Sequence, residues 1–489
     1  MTRGPVPAHR GELSSTAMSA LPASLRARFA ELLGADGVLD QPAATAPYLT
    51  DWRKLYRGAA AAVLRPRSTA EVAAIVGLCG EAGIPIVPQG GNTGLVGGAT
   101  PSADGRAVVL ALGRMNRVSS IDAENFTLAV EAGAILQAVQ QAAADADRLF
   151  PLSLGAEGQC QIGGNISTNA GGIAVLRYGN MRELVLGLEV VLPSGEIWNG
   201  LRALRKDNTG YDLKQFFIGA EGTLGVVTAA VLKLFPKPVE KATAFVATGD
   251  PARAVALLAR CRSASGDNVT SFEIISRPSI DLALRHIPGT VDPLANSSPY
   301  YVLIELTATT RGTALRTQLE AALEAALEDR LIVDATIAES EAATRRLWHL
   351  REAIVEAQRV EGPSIKHDIA VPTSKVATFI DQAVAEMIHA MPGVRPIAFG
   401  HLGDGNIHFN LTAPPNMAEA DFFAEGARLT RLVHDRAAAA GGSISAEHGL
   451  GVLRRDEIRR YKSAVELATM RQIKAALDPR GIMNPGKVI

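Results

Sequence analysis

Pro88-Gln-Gly-Gly-Asn-Thr-Gly-Leu-Val-Gly-Gly98 places five glycines in eleven residues. It follows the apolar run Ile84-Pro-Ile-Val87, which reads as a short buried strand. Glycines at this density let a backbone turn tightly and aim successive N–H groups at one point. A diphosphate is the natural ligand of such a nest. The loop contains no G-x-G-x-x-G and is not followed by Gly-Lys-Ser/Thr, so it is neither a Rossmann fingerprint nor a P-loop. Taken alone it is a cofactor loop or a turn-rich connection.

Two further stretches favour the first reading. Gly155-Ala-Glu-Gly-Gln-Cys-Gln-Ile-Gly-Gly-Asn-Ile-Ser-Thr-Asn-Ala-Gly-Gly172 has the same character. Gly219-Ala-Glu-Gly-Thr-Leu-Gly-Val-Val227 carries glycine at every third position and enters a β-branched run. Three such loops between strand-like segments imply a large cofactor wrapped by backbone. With these motifs the chain resembles the FAD-binding vanillyl-alcohol oxidase family of PCMH type, in the branch of D-2-hydroxyglutarate and D-lactate dehydrogenases. The resemblance runs from about Leu49 to the C-terminus.

The resemblance implies an α+β fold: a two-part PCMH-type FAD-binding domain, and an α+β substrate (cap) domain with an antiparallel sheet covered by helices. We expect a flexible N-terminus over 1–22, the FAD-binding domain over 23–236 and the cap over 237–452. A terminal segment, 453–489, is expected to return to the FAD domain. The residues implied to hold FAD are Pro88, Gly90, Gly91, Asn92, Thr93 and Gly94 in the first loop. Leu154, Gly155, Gly163, Gly164, Asn165, Thr168, Asn169 and Gly172 belong to the second. Glu221, Gly225 and Val227 belong to the third, and Asn484 stands in the terminal Asn-Pro-Gly-Lys. Gly90-Gly-Asn-Thr93 has no histidine or cysteine, so the FAD is expected to be non-covalent.

Bulk properties bound the rest. A chain of 489 residues exceeds one core and predicts two or three domains. A net charge of −1 argues against nucleic acid as a partner but leaves room for an anionic substrate. Cys79, Cys160 and Cys261 form no C-x-x-C pair, which points to buried thiols in a reducing compartment. No apolar run is long enough for a transmembrane helix, and Met1–Ser15 has no apolar core of a secretory signal. The expected location is the cytoplasm, or the mitochondrial matrix in a eukaryote; a transit peptide is the alternative reading of the acid-poor N-terminus.

Periodicity places helices at 23–34, 69–78, 135–144, 252–264, 312–328, 340–361, 373–391 and 417–439, with a last one after 466. Strands are expected at 61–64, 108–112, 127–131, 184–192, 195–198, 226–234, 299–309, 331–337 and 365–371. Two more bracket Gly403-Asp-Gly405. Helices beyond Pro236-Lys-Pro238 are expected on one face of a sheet.

The second half carries His401-Leu-Gly-Asp-Gly-Asn-Ile-His408 and Glu447-His448-Gly449. Histidines on either side of a hairpin turn can meet on one face of a sheet. With a carboxylate they form a two-His, one-carboxylate set suited to a divalent metal; hydrogen-bonded structural histidines are the other reading. The resemblance implies that His401, His408 and Glu447 bind the metal, with zinc the expected ion, and that His448 is the catalytic base. Arg351, on a predicted helix, and Lys366 match positions where the family binds the substrate carboxylate; Asn410 is a further candidate donor. Val355, one turn from Arg351, is apolar where a hydroxyl would help hold a distal carboxylate. D-lactate or a longer apolar 2-hydroxy acid therefore stays open beside D-2-hydroxyglutarate.

The expected reaction is oxidation of a D-2-hydroxy acid to the 2-keto acid, with electrons passed on to an electron-transfer flavoprotein, a cytochrome or a quinone. A homodimer is implied by the family. Two alternatives remain at this point: a non-catalytic FAD-binding subunit of a larger oxidase complex, and a non-redox flavoprotein such as an alkyl-transferring ether-lipid synthase.

Overall fold

The computed structural model describes residues 21–489, so the expectations for the first twenty fall outside the described residues. The chain divides into two compact units. A loop unit holds the described residues up to Gly172, then Tyr178–Lys237 and Glu447–Ile489. A sheet unit holds Ile173–Arg177 and Pro238–Ala446.

In the loop unit, helix α1 (Ala23–Leu33) buries Leu25, Phe29 and Leu33. Strands β1 (Ala62–Leu64), β2 (Ile86–Gln89) and β3 (Val108–Ala111) run parallel, with β3 between the other two. Their apolar runs suit a parallel sheet covered on both faces. Helix α2 (Thr69–Ala82) crosses from β1 to β2. Ser68 caps it by accepting the Glu71 N–H, while the Glu71 carboxylate reaches back to the Arg67 N–H, one residue earlier than a capping box would have it. Gly83, at φ +65°, ends the helix in the left-handed region.

The second sheet comprises β4 (Val118–Asp122), β5 (Thr127–Glu131), β6 (Val185–Val191), β7 (Ile197–Gly200) and β8 (Val226–Lys233), antiparallel in the order β4-β5-β8-β6-β7. Helix α3 (Leu136–Asp145) packs into the same core, which spans both sheets. The first glycine loop leaves the carboxyl end of β2. The second holds helix α4 (Ile162–Ser167), and the third enters β8.

The sheet unit is built on β9 (Glu240–Thr248), β10 (Val269–Ser276), β11 (Tyr300–Ala308), β12 (Asp334–Ile337), β13 (Ser364–Ile365), β14 (Asp368–Ala370), β15 (Arg395–His401) and β16 (Asn406–Thr412). The sheet is antiparallel in the order β12-β9-β11-β10-β15-β16-β13, and β14 also pairs with β16. Strands β9 and β10 and the helix after them, Arg277–His286, have no counterpart among the elements expected from periodicity. All eight positions of β10 are buried, so the alternation that marks a half-exposed strand is absent.

The same burial corrects the expectation of helices on one face. On one side α5 (Pro251–Ala264) packs against Ala244, Val246, Ile274 and Ile304, together with Leu315–Glu328 and Val376–Ala390. On the other, Arg277–His286 and α6 (Glu341–Glu361) cover Phe245, Ala247, Ile275 and Leu303. Adjacent residues thus enter opposite cores, as the two-residue period of a strand requires. The expected strand 365–371 is two short strands interrupted at Lys366-His367, and the expected helix 417–439 breaks at Glu425.

Candidate functional site

In the loop unit the three glycine loops are tied to one another. The Gly219 and Glu221 N–H groups donate to the Ile166 and Ser167 carbonyls, at 3.0 and 2.8 Å, joining the third loop to the second. Asn484 Nδ2 donates to the Gly98 carbonyl at 2.9 Å and to the Glu221 carbonyl at 2.8 Å, joining the first loop to the third. Gln89 Nε2 spans the base of the first loop, bonding the Tyr48 and Ala99 carbonyls.

One cavity opens among these loops. Of the residues implied to hold FAD, Pro88, Gly90, Gly91, Asn92, Thr93, Gly94, Gly163, Gly164, Asn165, Thr168, Glu221, Gly225 and Val227 line it. Leu154, Gly155, Asn169, Gly172 and Asn484 do not. Asn169 instead accepts the Arg182 N–H at 2.9 Å. A Cβ on Gly172 would stand 2.0 Å from the Ser153 carbonyl oxygen, so that glycine serves the loop's own packing. Gln161, Ser167 and Val96 line the cavity without having been singled out; Cys160, within the second glycine loop, and His448, the candidate base, line it too. A wider groove beside α5, lined mainly by alanines, brings no comparable set of polar groups together.

The cavity suits a large polar cofactor on two counts. A Cβ on Gly94 or Gly164 would meet no protein atom within 4 Å, so packing does not demand glycine there. Bare backbone at these positions leaves room for a ligand to approach closely. Gln161 Oε1 and Asn165 Oδ1 are buried without a hydrogen-bond partner, and buried acceptors of this kind are costly unless a ligand supplies donors. Glu221 is the cavity's buried carboxylate. Burial pushes its pKa up against the pull of the Leu450 and Gly451 N–H groups and of the Arg454 and Lys487 charges.

In the sheet unit, β15 and β16 form the hairpin expected around Gly403-Asp-Gly405. Gly405 has φ +82°, and a Cβ there would lie 1.9 Å from the Val371 carbonyl oxygen, so the turn admits only glycine. The register opposes His401 to Asn406 and Phe399 to His408. His401 and His408 are therefore diagonal neighbours on one face, with ring centroids 5.7 Å apart.

Glu273, on β10, stands opposite His401 and is fully buried. Its Oε1 lies 2.5 Å from His401 Nδ1. Its Oε2 accepts from Arg351 Nε at 2.9 Å and pairs with Nη2 at 2.8 Å. Desolvation alone would raise this carboxyl, but the His401 and Arg351 charges outweigh it and hold the pKa at about 2. A carboxylate on Nδ1 keeps the proton there and leaves Nε2 as the ligand atom, which is the usual outer support of a metal-bound histidine. His408 has Asp368 on its Nδ1 side at 3.8 Å. Two imidazoles backed by carboxylates are a donor set that fits a divalent metal. Asp404, in the turn, is pushed up to about 6, chiefly by burial.

The substrate candidates fare differently. Arg351 is buried, with its guanidinium carbon 4.8 Å from the Phe399 ring centroid, and Glu273 engages its Nε and Nη2; Nη1 and the second N–H of Nη2 are the donors left over. Lys366 is half-buried at the break between β13 and β14. Asn410 is buried, donates to Gln358 Oε1 at 2.8 Å and accepts the His367 N–H at 3.1 Å, which holds its amide between α6 and the break after β13. Val355 lies on an exposed side of α6. Glu447 is one peptide bond beyond Ala446, whose N–H bonds the Asp368 carbonyl at 3.1 Å.

Two family models match this chain: an FAD binding domain over residues 60–200 and the C-terminal domain of FAD linked oxidases over residues 237–488, half of its length. The chain belongs to the FAD-linked oxidase family. It is 40% identical over 452 residues to the mitochondrial D-2-hydroxyglutarate dehydrogenase of Bos taurus, covering 92% of this chain and 81% of that protein. It is 38% identical to the D-2-hydroxyglutarate dehydrogenase of Xanthomonas citri pv. viticola, covering 92% and 93%. The solved structure of p-cresol methylhydroxylase with substrate bound superposes with a TM-score of 0.72 at 17% identity, over 95% of this chain and 96% of that one. The α+β fold of PCMH type is therefore the one present, and the chain is an FAD-linked oxidoreductase. Among the described residues no helix is long and apolar enough to cross a membrane.

Proposed function

We propose that this enzyme oxidises a D-2-hydroxy acid, of the D-2-hydroxyglutarate or D-lactate type, to the 2-keto acid. The observation that carries the reading is the Glu273–His401 pair beside His408, a ready-made metal-ligand set, in a chain that also holds a glycine-loop cavity with His448 in its lining. The names of the curated relatives support the substrate class.

In this reading His401, His408 and Glu447 hold a divalent metal, with zinc fitting the N/O donors. Such a metal would supply Lewis-acid stabilisation of the deprotonating 2-hydroxyl. FAD, held by the glycine-loop cavity, would supply the acceptor for the C2 hydride. His448 takes the hydroxyl proton on its imidazole, whose ordinary pKa near 6.5 suits that task at neutral pH. Arg351, through Nη1 and the second N–H of Nη2, and Lys366 orient the substrate carboxylate. Glu273 keeps His401 in the tautomer that can ligate. The acceptor of the electrons is an electron-transfer flavoprotein, a cytochrome or a quinone.

The test is anaerobic bleaching of the flavin by D-2-hydroxyglutarate, D-lactate, D-malate and their L-enantiomers, with and without a chelator. Rapid bleaching by a D-acid that the chelator abolishes is expected. No bleaching by any of them in metal-replete protein would return the reading to an accessory flavin subunit.

A further inference from the structure

His448 leads directly into a turn gripped from three sides within the loop unit. Glu221 Oε1 accepts the Leu450 N–H at 2.7 Å, and its Oε2 accepts the Gly451 N–H at 2.9 Å. Arg454 Nη1 donates to the Gly449 carbonyl at 3.1 Å. The Val96 carbonyl, in the first glycine loop, accepts from Val452 at 2.9 Å and from Leu453 at 3.2 Å. The fit leaves no slack: a Cβ on Gly449 would come within 2.7 Å of Glu221 Oε1, and one on Gly451 within 2.3 Å of the Val96 oxygen.

Glu221 is held as firmly as the turn it grips. It sits at φ +50° in the third glycine loop, and its N–H bonds the Ser167 carbonyl in the second. The backbone that carries His448 is thus fixed to all three loops that line the cavity. A carboxylate suits this role because its two oxygens can accept two neighbouring N–H groups at once. Burial works against that charge, and the Leu450 and Gly451 N–H groups and the Arg454 and Lys487 charges work for it.

We propose that Glu221 is a positioning residue for His448, fixing the imidazole relative to the cofactor cavity through the Gly449–Gly451 backbone. This rests on His448 being the proton acceptor of the proposed reaction. Glutamine at position 221 keeps one acceptor but turns an NH2 group toward the second N–H, so the turn is pushed out of place. Aspartate keeps the charge and falls a methylene short. A displacement on the order of 1 Å at a reacting group lowers a rate by about 100-fold.

The experiment is a double-mutant cycle on the FAD-loaded, metal-replete enzyme, with E221Q, H448A and the double variant, and with E221D as a second probe. Flavin content, KM and the limiting rate of anaerobic flavin reduction by a D-2-hydroxy acid are measured. Compared at equal flavin content, E221Q is expected to keep KM within about threefold, to lose about 30- to 100-fold in reduction rate, and to have no further effect once His448 is alanine. E221D is expected to fall between E221Q and the parent, and if E221Q does not fold the same cycle is run with E221D. Full additivity with H448A, or a rate loss that only tracks lost FAD, would overturn the proposal. So would a parental rate in E221Q while H448A is inactive. If H448A itself reduces flavin at the parental rate, the reading of His448 falls and takes the proposal with it; the single-variant rates separate that failure from one of Glu221 alone.

Discussion

Replacing Glu273 gives the sharpest test of the metal-ligand set. Alanine there would leave the Arg351 guanidinium buried without its partner, since Arg351 is only 6% exposed. Breaking one side of a buried ion pair costs about 3–5 kcal/mol. The pKa gives an independent figure: a carboxyl held at about 2 rather than its ordinary 4.5 corresponds to roughly 3 kcal/mol of stability. The sign follows from linkage. The folded pKa is depressed, so this stability is fully present above 4.5 and is lost as pH falls from there toward 2.

Glutamine separates stability from ligation. In E273Q the amide oxygen can still face the two Arg351 donors, and the NH2 group must then face His401 Nδ1. That forces the His401 proton onto Nε2, the atom a metal needs. We expect metal-free E273A to lose about 3–5 kcal/mol in urea unfolding at neutral pH, and its gap to the parent to shrink as pH falls below 4.5. We expect E273Q to lose less stability but to bind zinc about 10- to 100-fold more weakly in competition with a chromophoric chelator. Parental zinc affinity in E273Q would refute the tautomer argument, and an E273A gap that stays constant down to pH 3 would refute the buried ion pair.

Two glycines of the cradle should respond in opposite ways. Gly164→Ala meets no protein atom and lies in a helix, so the apoprotein should gain about 0.5–1 kcal/mol while FAD binds more weakly in a fluorescence titration; unchanged FAD affinity would count against the cavity as the flavin site. Gly91→Ala drives a Cβ to 2.1 Å from the Gln159 carbonyl oxygen and should instead lower apoprotein stability by about 1–3 kcal/mol in urea unfolding. Val355→Thr, at an exposed position, should leave stability within about 0.5 kcal/mol and raise the kcat/KM ratio of D-2-hydroxyglutarate over D-lactate by about tenfold. A ratio that does not move would place the distal carboxylate elsewhere. Chelation should stop flavin reduction without releasing FAD, read from the absorbance of the washed protein; reduction at the parental rate would remove the metal from the reaction.

What could be read in the sequence was local in origin. The glycine loops announce themselves because each tight turn or close approach writes its need at one position, as Gly405 and Gly91 do. His401 and His408 were legible because a hairpin turn and a two-residue period fix which face each takes. The surroundings of Asn410 were not legible, for the complementary reason. Its partners, Gln358 and His367, lie 52 and 43 residues away, and an amide on a strand looks the same whether it faces a ligand or a neighbour. Glu273 escaped notice altogether, with partners 78 and 128 residues distant. Yet Val269-Thr-Ser-Phe-Glu-Ile-Ile-Ser276 held a clue. A lone acid in a β-branched and aromatic run either points to solvent from one face of the strand or is buried, which demands cationic donors from elsewhere in the chain. If buried, it implies an arginine or histidine brought in by the fold. Read that way, the acid in β10 is itself evidence that a second polar element meets this strand, and Arg351 and His401, both already singled out, were the residues to pair with it.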